Sequence, residues 1–306
     1  MPATFHELLK FTPLYPTRVW GGRRLESVLQ RTLPDDQPYG ESWELVDREH
    51  EQSVVASGAH QGVTLHELWT QHQDVVFGPA YARHHSKRFP LLIKVLDCAD
   101  ELSIQVHPPV SLAAELGGEP KTEMWFVAHA DDDARLFAGL RQGMTKHAFE
   151  SALTTGEVAN CVHEMHPQKG DSLFVPSGRL HALGRGLLIY EIQQNSDTTY
   201  RVFEWNRLGL DGKPRELHVE QSLKCIDFSD FEPGLQHHDG VLATCEHFTV
   251  THTRTGHIPR GDTFRLIMAV QPTQWGHSML SPGDVALKPA CLAMPEPVGE
   301  WLEIDF

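Results

Sequence analysis

The sequence predicts a mainly β protein that is built from two related β-barrels, with a few helices packed beside the first barrel. Short runs rich in β-branched and aromatic residues, each bounded by Gly, Pro or Asp, dominate the 306 residues. A twelve-residue pattern also occurs twice, at 170–181 and at 283–294. Helix signals are confined to four short stretches, so we expect the helices to be accessory to the sheets.

The strand signals are short and separated by turn residues, as is typical of a sandwich or a barrel. The clearest runs are 41–47, 53–58, 90–97, 102–108, 123–129, 171–177 and 186–194. A last β section is expected from residue 240 to the end of the chain.

The helix signals depend mainly on capping residues. Thr64 and Glu67 form a capping-box pattern that opens a helix through about residue 77. Ser111 is expected to cap a short helix that ends at a Gly-Gly pair. Residues 145–163 read as one or two helices with an apolar stripe, and a shorter helix is expected over 217–226.

The repeated pattern reads GDSLFVPSGRLH in the first copy and GDVALKPACLAM in the second. In each copy Gly-Asp signals a hairpin turn, the next residues form a strand, and Pro ends it. The first copy ends in His181, a residue type that binds metals, whereas the second ends in Met294. We therefore infer that the first barrel can hold a metal and the second cannot.

The composition excludes several classes of protein. Lys and Arg total 26 against 41 Asp and Glu, so the formal net charge of −15 disfavours nucleic acid as a partner. No apolar run approaches the roughly 20 residues of a membrane span, and the first residues do not resemble a signal peptide. The five cysteines are widely spaced without a CxxC, which suits reduced thiols in a cytoplasm.

Four polar residues on predicted strands have the chemistry of a metal site. Gln105 and His107 share one strand face, Glu123 begins the strand at 123–129, and His181 ends the first repeat. Each of them taken alone is more simply a hydrogen-bonded polar residue of a barrel. Together, an amide oxygen, two imidazoles and a carboxylate suit one zinc ion with a coordination position open for water or substrate.

The repeat and its surroundings resemble a known family. The G-x5-P-x-G-x2-H pattern is similar to the second motif of the cupin superfamily of small jelly-roll barrels. The wider set of motifs resembles the type I mannose-6-phosphate isomerases (phosphomannose isomerases) in their short bacterial form, from about residue 11 to 227. The motifs that carry this resemblance are WGGRRL (20–25), GESWELVD (40–47), PLLIKVLDCADELSIQVHPP (90–109), KTEMWFV (121–127), SDTTYRVFEWNR (196–207) and GKPRELHVE (212–220).

The resemblance implies a cupin domain over residues 1–235 and a degenerate C-terminal cupin barrel over 236–306. It implies that Gln105, His107, Glu123 and His181 bind zinc and that Arg201 faces the substrate. The implied reaction interconverts D-mannose 6-phosphate and D-fructose 6-phosphate through an enediol, so the expected partner is a small phosphorylated sugar. The large helical insertion of the human and fungal members is absent here.

Lys121 is expected to project toward the same pocket, because it lies two residues before Glu123 on the strand. A nearby cation would lower the pKa of Lys121, which makes it a candidate for proton transfer beside a zinc-bound water. Alternatively, Lys121 is a solvated charge at the rim. Glu191 and Lys94 are weaker pocket candidates, and Glu191 could orient a ligand histidine.

Other interpretations stay open from the sequence alone. Arg201 could form a structural ion pair with Asp197 or Glu204. A cupin dioxygenase with Fe(II) would use a similar site, although its first motif typically has His-x-His, where this chain has Gln105. A cupin that binds a sugar without converting it is a third class. The sequence also leaves open phosphorylated against free mannose, and the oligomeric state.

Overall fold

The computed structural model describes residues 5–81, 86–255 and 264–306. The strands of these residues are β1 (Leu9–Thr12), β2 (Thr17–Gly22), β3 (Glu41–Leu45), β4 (Val54–Val55), β5 (Leu91–Cys98), β6 (Ile104–Val106), β7 (Glu123–Ala130), β8 (Leu136–Leu140), β9 (Val162–Met165), β10 (Ser172–Val175), β11 (His181–Leu183), β12 (Leu187–Gln194), β13 (Tyr200–Phe203), β14 (Gly240–Thr244), β15 (Thr249–Arg254), β16 (Arg265–Ala269), β17 (Thr273–Trp275), β18 (Ser278–Leu280), β19 (Val285–Lys288) and β20 (Glu300–Asp305). The helices are α1 (Arg24–Ser27), α2 (Leu65–Gln71), α3 (Gln73–Val76), α4 (Val110–Ala113), α5 (Lys146–Thr155) and α6 (Val219–Cys225), with a 3₁₀ turn at Val158–Cys161.

The chain divides into two compact units. One comprises Met1–Leu14, Ser42–Val95 and His238–Phe306, and the other comprises Tyr15–Glu41 and Leu96–His237. The expected domain boundary at 235/236 lies close to the end of the second of these units. The stretches 1–14 and 42–95, which the sequence assigns to the N-terminal domain, cluster with the C-terminal segment instead.

The unit that ends at His237 holds the predicted site and is organised by strands of two sheets. Within this unit β10, β7 and β12 pair in the order β10-β7-β12, and the second sheet has five strands in the order β13-β6-β11-β8-β9. Alternate side chains of both sheets meet in one apolar core, because successive residues of a strand point to opposite faces. That core includes Trp125, Val127, Leu136, Ala138, Leu173, Leu183 and Ile189.

The opposite face of the β13-β6-β11-β8-β9 sheet is covered by helices, as the sequence predicts. Ile104, Val106 and Phe137 point to this face and pack with Phe149 of α5 and Cys225 of α6. Burying a side chain of this size removes apolar surface from water and contributes about 1.5–3 kcal/mol. The helices therefore hold the sheet that carries most of the candidate ligands.

The other unit contains the C-terminal β section. A seven-stranded sheet runs in the order β14-β15-β20-β16-β19-β1-β4, and β17 pairs with β18 in a two-stranded ribbon. Met294 packs against a buried cluster of this unit that includes Trp275 and Trp301. The methionine at the end of the second repeat is thus partly buried at the edge of an apolar core.

The two copies of the repeat form the same turn. Gly170 and Gly283 have φ of +94° and +84°, a region that residues with a Cβ rarely adopt. The next residue closes the turn in both copies, since a side-chain oxygen accepts a backbone N–H from three residues earlier, at 2.7 Å for Asp171 and 2.9 Å for Asp284. The strands β10 and β19 follow as predicted.

Most predicted elements are present, and two need correction. The capping box of Thr64 and Glu67 is confirmed, and a helix begins at Lys146, within the stretch 145–163 that is expected to be helical. Ser111 does not cap α4, because the helix already begins at Val110 and no side chain caps it. The predicted strand over 53–58 shrinks to the two residues of β4. None of the helices in the described ranges is long and apolar enough to cross a membrane.

Candidate metal centre

Three adjacent strands place three of the predicted site residues in one row. Gln105 on β6 lies opposite His181 of β11 on one side and opposite Arg201 of β13 on the other. Directly opposed residues of antiparallel strands point to the same face of the sheet. The side chains of His181, Gln105 and Arg201 therefore line the same surface.

His107 and Glu123 complete a compact cluster with His181. The Nε2 atom of His107 lies 3.5 Å from Glu123 Oε2, and the Nε2 atom of His181 lies 3.4 Å from Glu123 Oε1. The candidate ligand atoms of the three residues all lie within 4.8 Å of one another, and all three side chains are buried. Two imidazoles and a carboxylate so arranged can hold a metal ion.

The hydrogen bonding of the cluster fits such an ion. Both carboxylate oxygens of Glu123 and the Nε2 atom of His107 are buried without a well-aligned hydrogen bond, and the ammonium group of Lys121, 3.0 Å from Glu123 Oε2, is an ion-pair partner of that carboxylate. Leaving a buried carboxylate without hydrogen bonds is costly, and proteins avoid it unless a charge or a metal compensates. These orphaned atoms point at one another, which is the arrangement that a cation would satisfy.

Main-chain carbonyls orient both histidine rings. His107 Nδ1 lies 2.9 Å from the Thr198 carbonyl oxygen, and His181 Nδ1 lies 2.8 Å from the Arg179 carbonyl oxygen. A carbonyl only accepts, so each Nδ1 must carry the proton, and each Nε2 faces the cluster with a lone pair. Burial is the main factor that lowers the pKa of His181, and it lowers that of His107 to about 3. Both rings are therefore neutral, as metal ligands must be.

Gln105 adjoins the cluster but presents its amide nitrogen. Gln105 Nε2 lies 3.3 Å from His181 Nε2, while Gln105 Oε1 accepts a hydrogen bond from the Ser103 hydroxyl at 3.0 Å. A hydroxyl can donate or accept, so Ser103 satisfies the amide in either orientation. Rotation of the amide by 180° brings Oε1 to the cluster, which the role of a fourth ligand requires.

Lys121 is part of the cluster, and the interpretation as a solvated rim charge is wrong. Its side chain is 5% exposed, and Nζ lies 3.0 Å from Glu123 Oε2. Burial opposes its charge, but the carboxylates of Glu123, Glu191 and Asp197 raise the pKa of Lys121. This is the reverse of the lowering expected beside a cation, because the neighbours here are negative. Burial by itself would raise the pKa of Glu123, but the ammonium group of Lys121 lowers it.

The weaker candidates have other partners. Glu191 accepts a hydrogen bond from the Trp125 indole at 3.0 Å, and the Trp125 ring stands edge-on to the His181 ring at a centroid distance of 5.3 Å. Glu191 thus reaches His181 through Trp125. Lys94 belongs to the other unit, and its Nζ lies 5.0 Å from the centre of the Trp43 ring.

Arg201 belongs to a cluster of arginines around one carboxylate. Glu204 is buried, and its oxygens lie 2.7 Å from Arg215 and 3.3 Å from Arg207. The Nε atom of Arg201 lies 3.8 Å from Glu204 and makes no hydrogen bond. One carboxylate does not neutralise three guanidinium groups, although Arg207 also pairs with Asp100 at 3.1 Å. The cluster keeps a local excess of positive charge in a protein of net charge −15.

A cavity of about 310 Å³ extends this positive surface. It is lined by Thr17, Arg18, Val19, Trp20, Gly209, Leu210, Asp211 and Arg215. Burial and the nearby Arg201 guanidinium lower the pKa of Arg215, so the cations lie close together. Burial also opposes the charge of Arg18, but Glu41, which it binds through two nitrogens, and Asp197 raise the pKa of Arg18. The charge of Asp197 therefore acts on both Arg18 and Lys121.

Sequence reasoning missed several of these groups. The carbonyls of Thr198 and Arg179 carry no side-chain signal, so only the folded backbone reveals them. Arg18 lies two residues before WGGRRL and Arg215 lies in GKPRELHVE, two of the stretches that carry the family resemblance. The sequence shows these stretches, but it does not show that the two arginines line the same cavity.

A family model and curated relatives of this chain are all phosphomannose isomerases, which are also called mannose-6-phosphate isomerases. The model of the family "Phosphomannose isomerase type I, catalytic domain" matches residues 8–118. Mannose-6-phosphate isomerase ManA of Bacillus subtilis (strain 168) is 36% identical over 254 residues, which cover 80% of this chain and 78% of that protein. The mannose-6-phosphate isomerase of Streptococcus mutans is 38% identical over 210 residues, which cover 68% of this chain and 64% of that protein.

A solved structure extends the similarity to nearly the whole chain. The crystal structure of the mannose 6-phosphate isomerase from Bacillus subtilis superposes with a TM-score of 0.83 at 27% identity. The match covers 98% of this chain and 99% of that one. The similarity therefore includes the C-terminal β section, beyond the residues that the family model matches.

Proposed function

This chain belongs to the type I phosphomannose isomerase family, and from that premise we propose that it interconverts D-mannose 6-phosphate and D-fructose 6-phosphate with one bound zinc ion. The observation that carries the proposal is the buried cluster of His107, Glu123 and His181, whose ligand atoms lie within 4.8 Å of one another. Lys121 lies against this cluster, and Arg201 lies in the same row of side chains. The five cysteines are free, which supports the expectation of a reducing, cytoplasmic compartment.

The proposed zinc ligands are His107, Glu123 and His181, with Gln105 as the fourth after rotation of its amide. Two imidazoles, a carboxylate and an amide oxygen are donors that suit zinc. Zinc at these ligands would supply a Lewis acid that stabilises negative charge on the sugar oxygens. The protein contributes rigid donors, since carbonyls fix both rings and burial excludes water around Glu123.

The arginine cluster supports a phosphorylated rather than a free sugar. A phosphate dianion is attracted to guanidinium groups, which present planar pairs of N–H donors. Arg201, Arg207 and Arg215 share the single carboxylate of Glu204, and Arg18 lines the adjoining cavity. We assign the phosphate to the part of this surface at Arg18 and Arg215, and the reacting carbons to the side of Arg201 and Lys121.

Lys121 is the proposed group for proton transfer between C1 and C2 of the sugar. It is charged in the structure because Glu123 and other carboxylates stabilise its ammonium form. When Glu123 shares its charge with a cation, that support weakens, and the amine becomes easier to deprotonate. Arg201, in the same row of side chains as the ligands, stabilises the enediolate that forms when the C2 proton leaves.

The test combines metal analysis with an assay of two sugars. We expect the purified protein to carry about one zinc per chain and to isomerise mannose 6-phosphate far better than free mannose. His107→Ala and His181→Ala should lose both zinc and turnover, because each removes a ligand from a small set. His237→Ala is the matched control, since His237 is exposed and pairs with Asp171 outside the cluster.

Four results would contradict the proposal. Full zinc content in both ligand variants would exclude the assigned ligand set. Equal turnover of free mannose and mannose 6-phosphate would exclude a phosphate role for the arginine cluster. A protein that binds mannose 6-phosphate but releases it unchanged would be a sugar-binding cupin, and oxygen consumption with a bound iron would indicate a dioxygenase.

A further inference from the structure

The orientation of His181 depends on the carbonyl of Arg179, and the side chain of Arg179 is itself fixed from a distant part of the chain. We propose that Asp230 is a positioning residue that sets the metal affinity of the site through Arg179. This inference rests on the proposed metal site. The inference adds Asp230 to that site, a residue whose side chain touches none of the ligand side chains.

Arg179 is held by three hydrogen bonds. Its Nε and Nη2 atoms donate to the two carboxylate oxygens of Asp230, both at 2.8 Å. Its Nη1 atom donates to the carbonyl of Phe174 on β10 at 2.6 Å. Both side chains of the ion pair are mostly buried, at 15% and 18% exposure. A bidentate pair of this kind resists rotation more than a single hydrogen bond does.

Asp230 is fixed in turn by its backbone. Its carbonyl accepts a hydrogen bond from Leu140 N on β8 at 2.8 Å, and its own N–H donates to Asp227 at 3.2 Å. Asp227 N donates to the carbonyl of Gly178, the residue before Arg179, at 2.9 Å. The turn 227–230 therefore clamps residues 178 and 179 by the backbone and by the side chain.

The clamp acts on His181 through one atom. His181 Nδ1 donates to the Arg179 carbonyl at 2.8 Å, which fixes both the tautomer and the rotation of the ring. If the guanidinium is released, the peptide unit of residue 179 can rotate, and Nδ1 loses a fixed acceptor. His107 depends on the carbonyl of Thr198 instead. A change at Asp230 should therefore weaken the site without abolishing it.

The experiment measures the zinc dissociation constant of the purified apoprotein by competition with a chelator. Outer partners of metal ligands are typically worth 10- to 100-fold in metal affinity. Because Asp230 acts on His181 only through Arg179, we expect Asp230→Asn to weaken zinc binding by about tenfold, at the low end of that range. Arg179→Lys should weaken it similarly, since lysine cannot form the bidentate pair. Asp230→Glu, which keeps the carboxylate, should restore part of the loss.

Two variants serve as controls. Asp133→Asn removes the same charge from an exposed ion pair with Arg185. Ser229→Ala removes a hydroxyl from the clamping turn, where it bonds Asp227 at 2.6 Å, without touching Arg179. Both should bind zinc within twofold of the wild type. Cobalt(II) substituted for zinc gives a second readout, because its visible absorption reports the ligand geometry and should change only in the Asp230 and Arg179 variants.

The outcomes separate this inference from the proposed function. If the wild type binds no zinc, the proposed metal site is wrong, and this inference fails with it. If the wild type binds zinc and the Asp230 and Arg179 variants bind it equally well, with lower melting temperatures alone, the pair is only a structural brace. If Asp230→Asn does not fold, the milder Arg179→Lys decides by the same zinc measurement.

Discussion

The carboxylate of Glu123 lies completely buried beside Lys121 and two neutral histidines, so a positive charge must compensate for its removal from water. Lys121 provides that compensation in the structure, and it lowers the pKa of Glu123. A metal ion at the same oxygens would compete with the ammonium group for the carboxylate. The pair of residues therefore couples metal binding to the charge of the proposed proton-transfer group.

Arg201 is the residue whose role is most directly testable. Arg201→Ala should keep its fold and zinc but lose at least a hundredfold in kcat, because it removes a charged donor from a developing enediolate. Arg201→Lys should rescue poorly, since an ammonium group lacks the planar fork. The measurement is steady-state kinetics with mannose 6-phosphate, together with zinc analysis of each variant.

The control for Arg201 is Arg185→Ala, which removes an exposed arginine that pairs with Asp133. It should leave kcat and KM unchanged. If Arg201→Ala also keeps wild-type kcat and KM, Arg201 serves the ion pair with Glu204, which the sequence already allowed. The ion pair is weak in the structure, because Arg201 Nε lies 3.8 Å from Glu204 Oε1 and makes no hydrogen bond.

At the scale of elements, α2 shows how a short helix is fixed by its first turn. The Thr64 hydroxyl accepts from Glu67 N at 3.1 Å, and Glu67 reaches back to Thr64 N at 2.8 Å. Each bond satisfies a backbone or side-chain group that the helix start would leave free. The Thr64 hydroxyl also donates to Glu67 Oε2 at 2.9 Å, and the hydrogen bonds from the Thr64 backbone and hydroxyl lower the pKa of Glu67, the backbone one most strongly.

We expect Thr64→Ala to lower the free energy of unfolding by about 1 kcal/mol. Thr70→Ala makes the same chemical change at an exposed position of α2, outside its first turn, and should change stability by a few tenths of a kcal/mol at most. Denaturant unfolding of both variants measures the difference. Equal losses in the two variants would show that the capping box contributes nothing specific.

At the scale of the whole molecule, the two copies of the repeat share one turn, but their last residues have different environments. The first copy leads into β11, where His181 faces Glu123, whereas Met294 of the second copy packs against an apolar core. Met294→His should therefore not raise the zinc content above that of the wild type, because a single imidazole supplies one ligand. It should instead destabilise the protein, since a polar ring replaces an apolar side chain in a packed site.

Zinc analysis and thermal unfolding of Met294→His test this together. Met294→Leu is the matched control, because it keeps an apolar side chain of similar volume and should cost less than about 1.5 kcal/mol. A second zinc per chain in Met294→His would mean that the C-terminal repeat retains a hidden ligand set. No loss of stability would mean that Met294 does not contribute to the core.

The global charge and the local charge of the molecule have opposite signs. The net charge of −15 repels a sugar phosphate at long range, so binding depends on the arginines at the site. Their charge is concentrated because Arg201, Arg207 and Arg215 surround Glu204. The sequence supplied the net charge and the family motifs, but only the fold shows that these side chains share one surface.

The sequence by itself determined the class of fold, the positions of most strands, the turn of the repeat and the family. These follow from local rules: period-two alternation, Gly at a positive φ, and capping boxes act over a few residues. The sequence did not predict the short extent of β4 or the start of α4 before Ser111. Pairing partners set the first boundary, and the preceding Pro109 sets the second.

Only the tertiary structure decided how the site is assembled. His181, Gln105 and Arg201 come from positions up to 96 residues apart, and the register of β11, β6 and β13 brings them into one row. Burial of Lys121 and the carbonyls that orient the histidines also depend on which backbone segments pack together. Residue types and spacing show what chemistry a chain can perform, whereas distances, burial and backbone hydrogen bonds depend on long-range packing that no local pattern encodes.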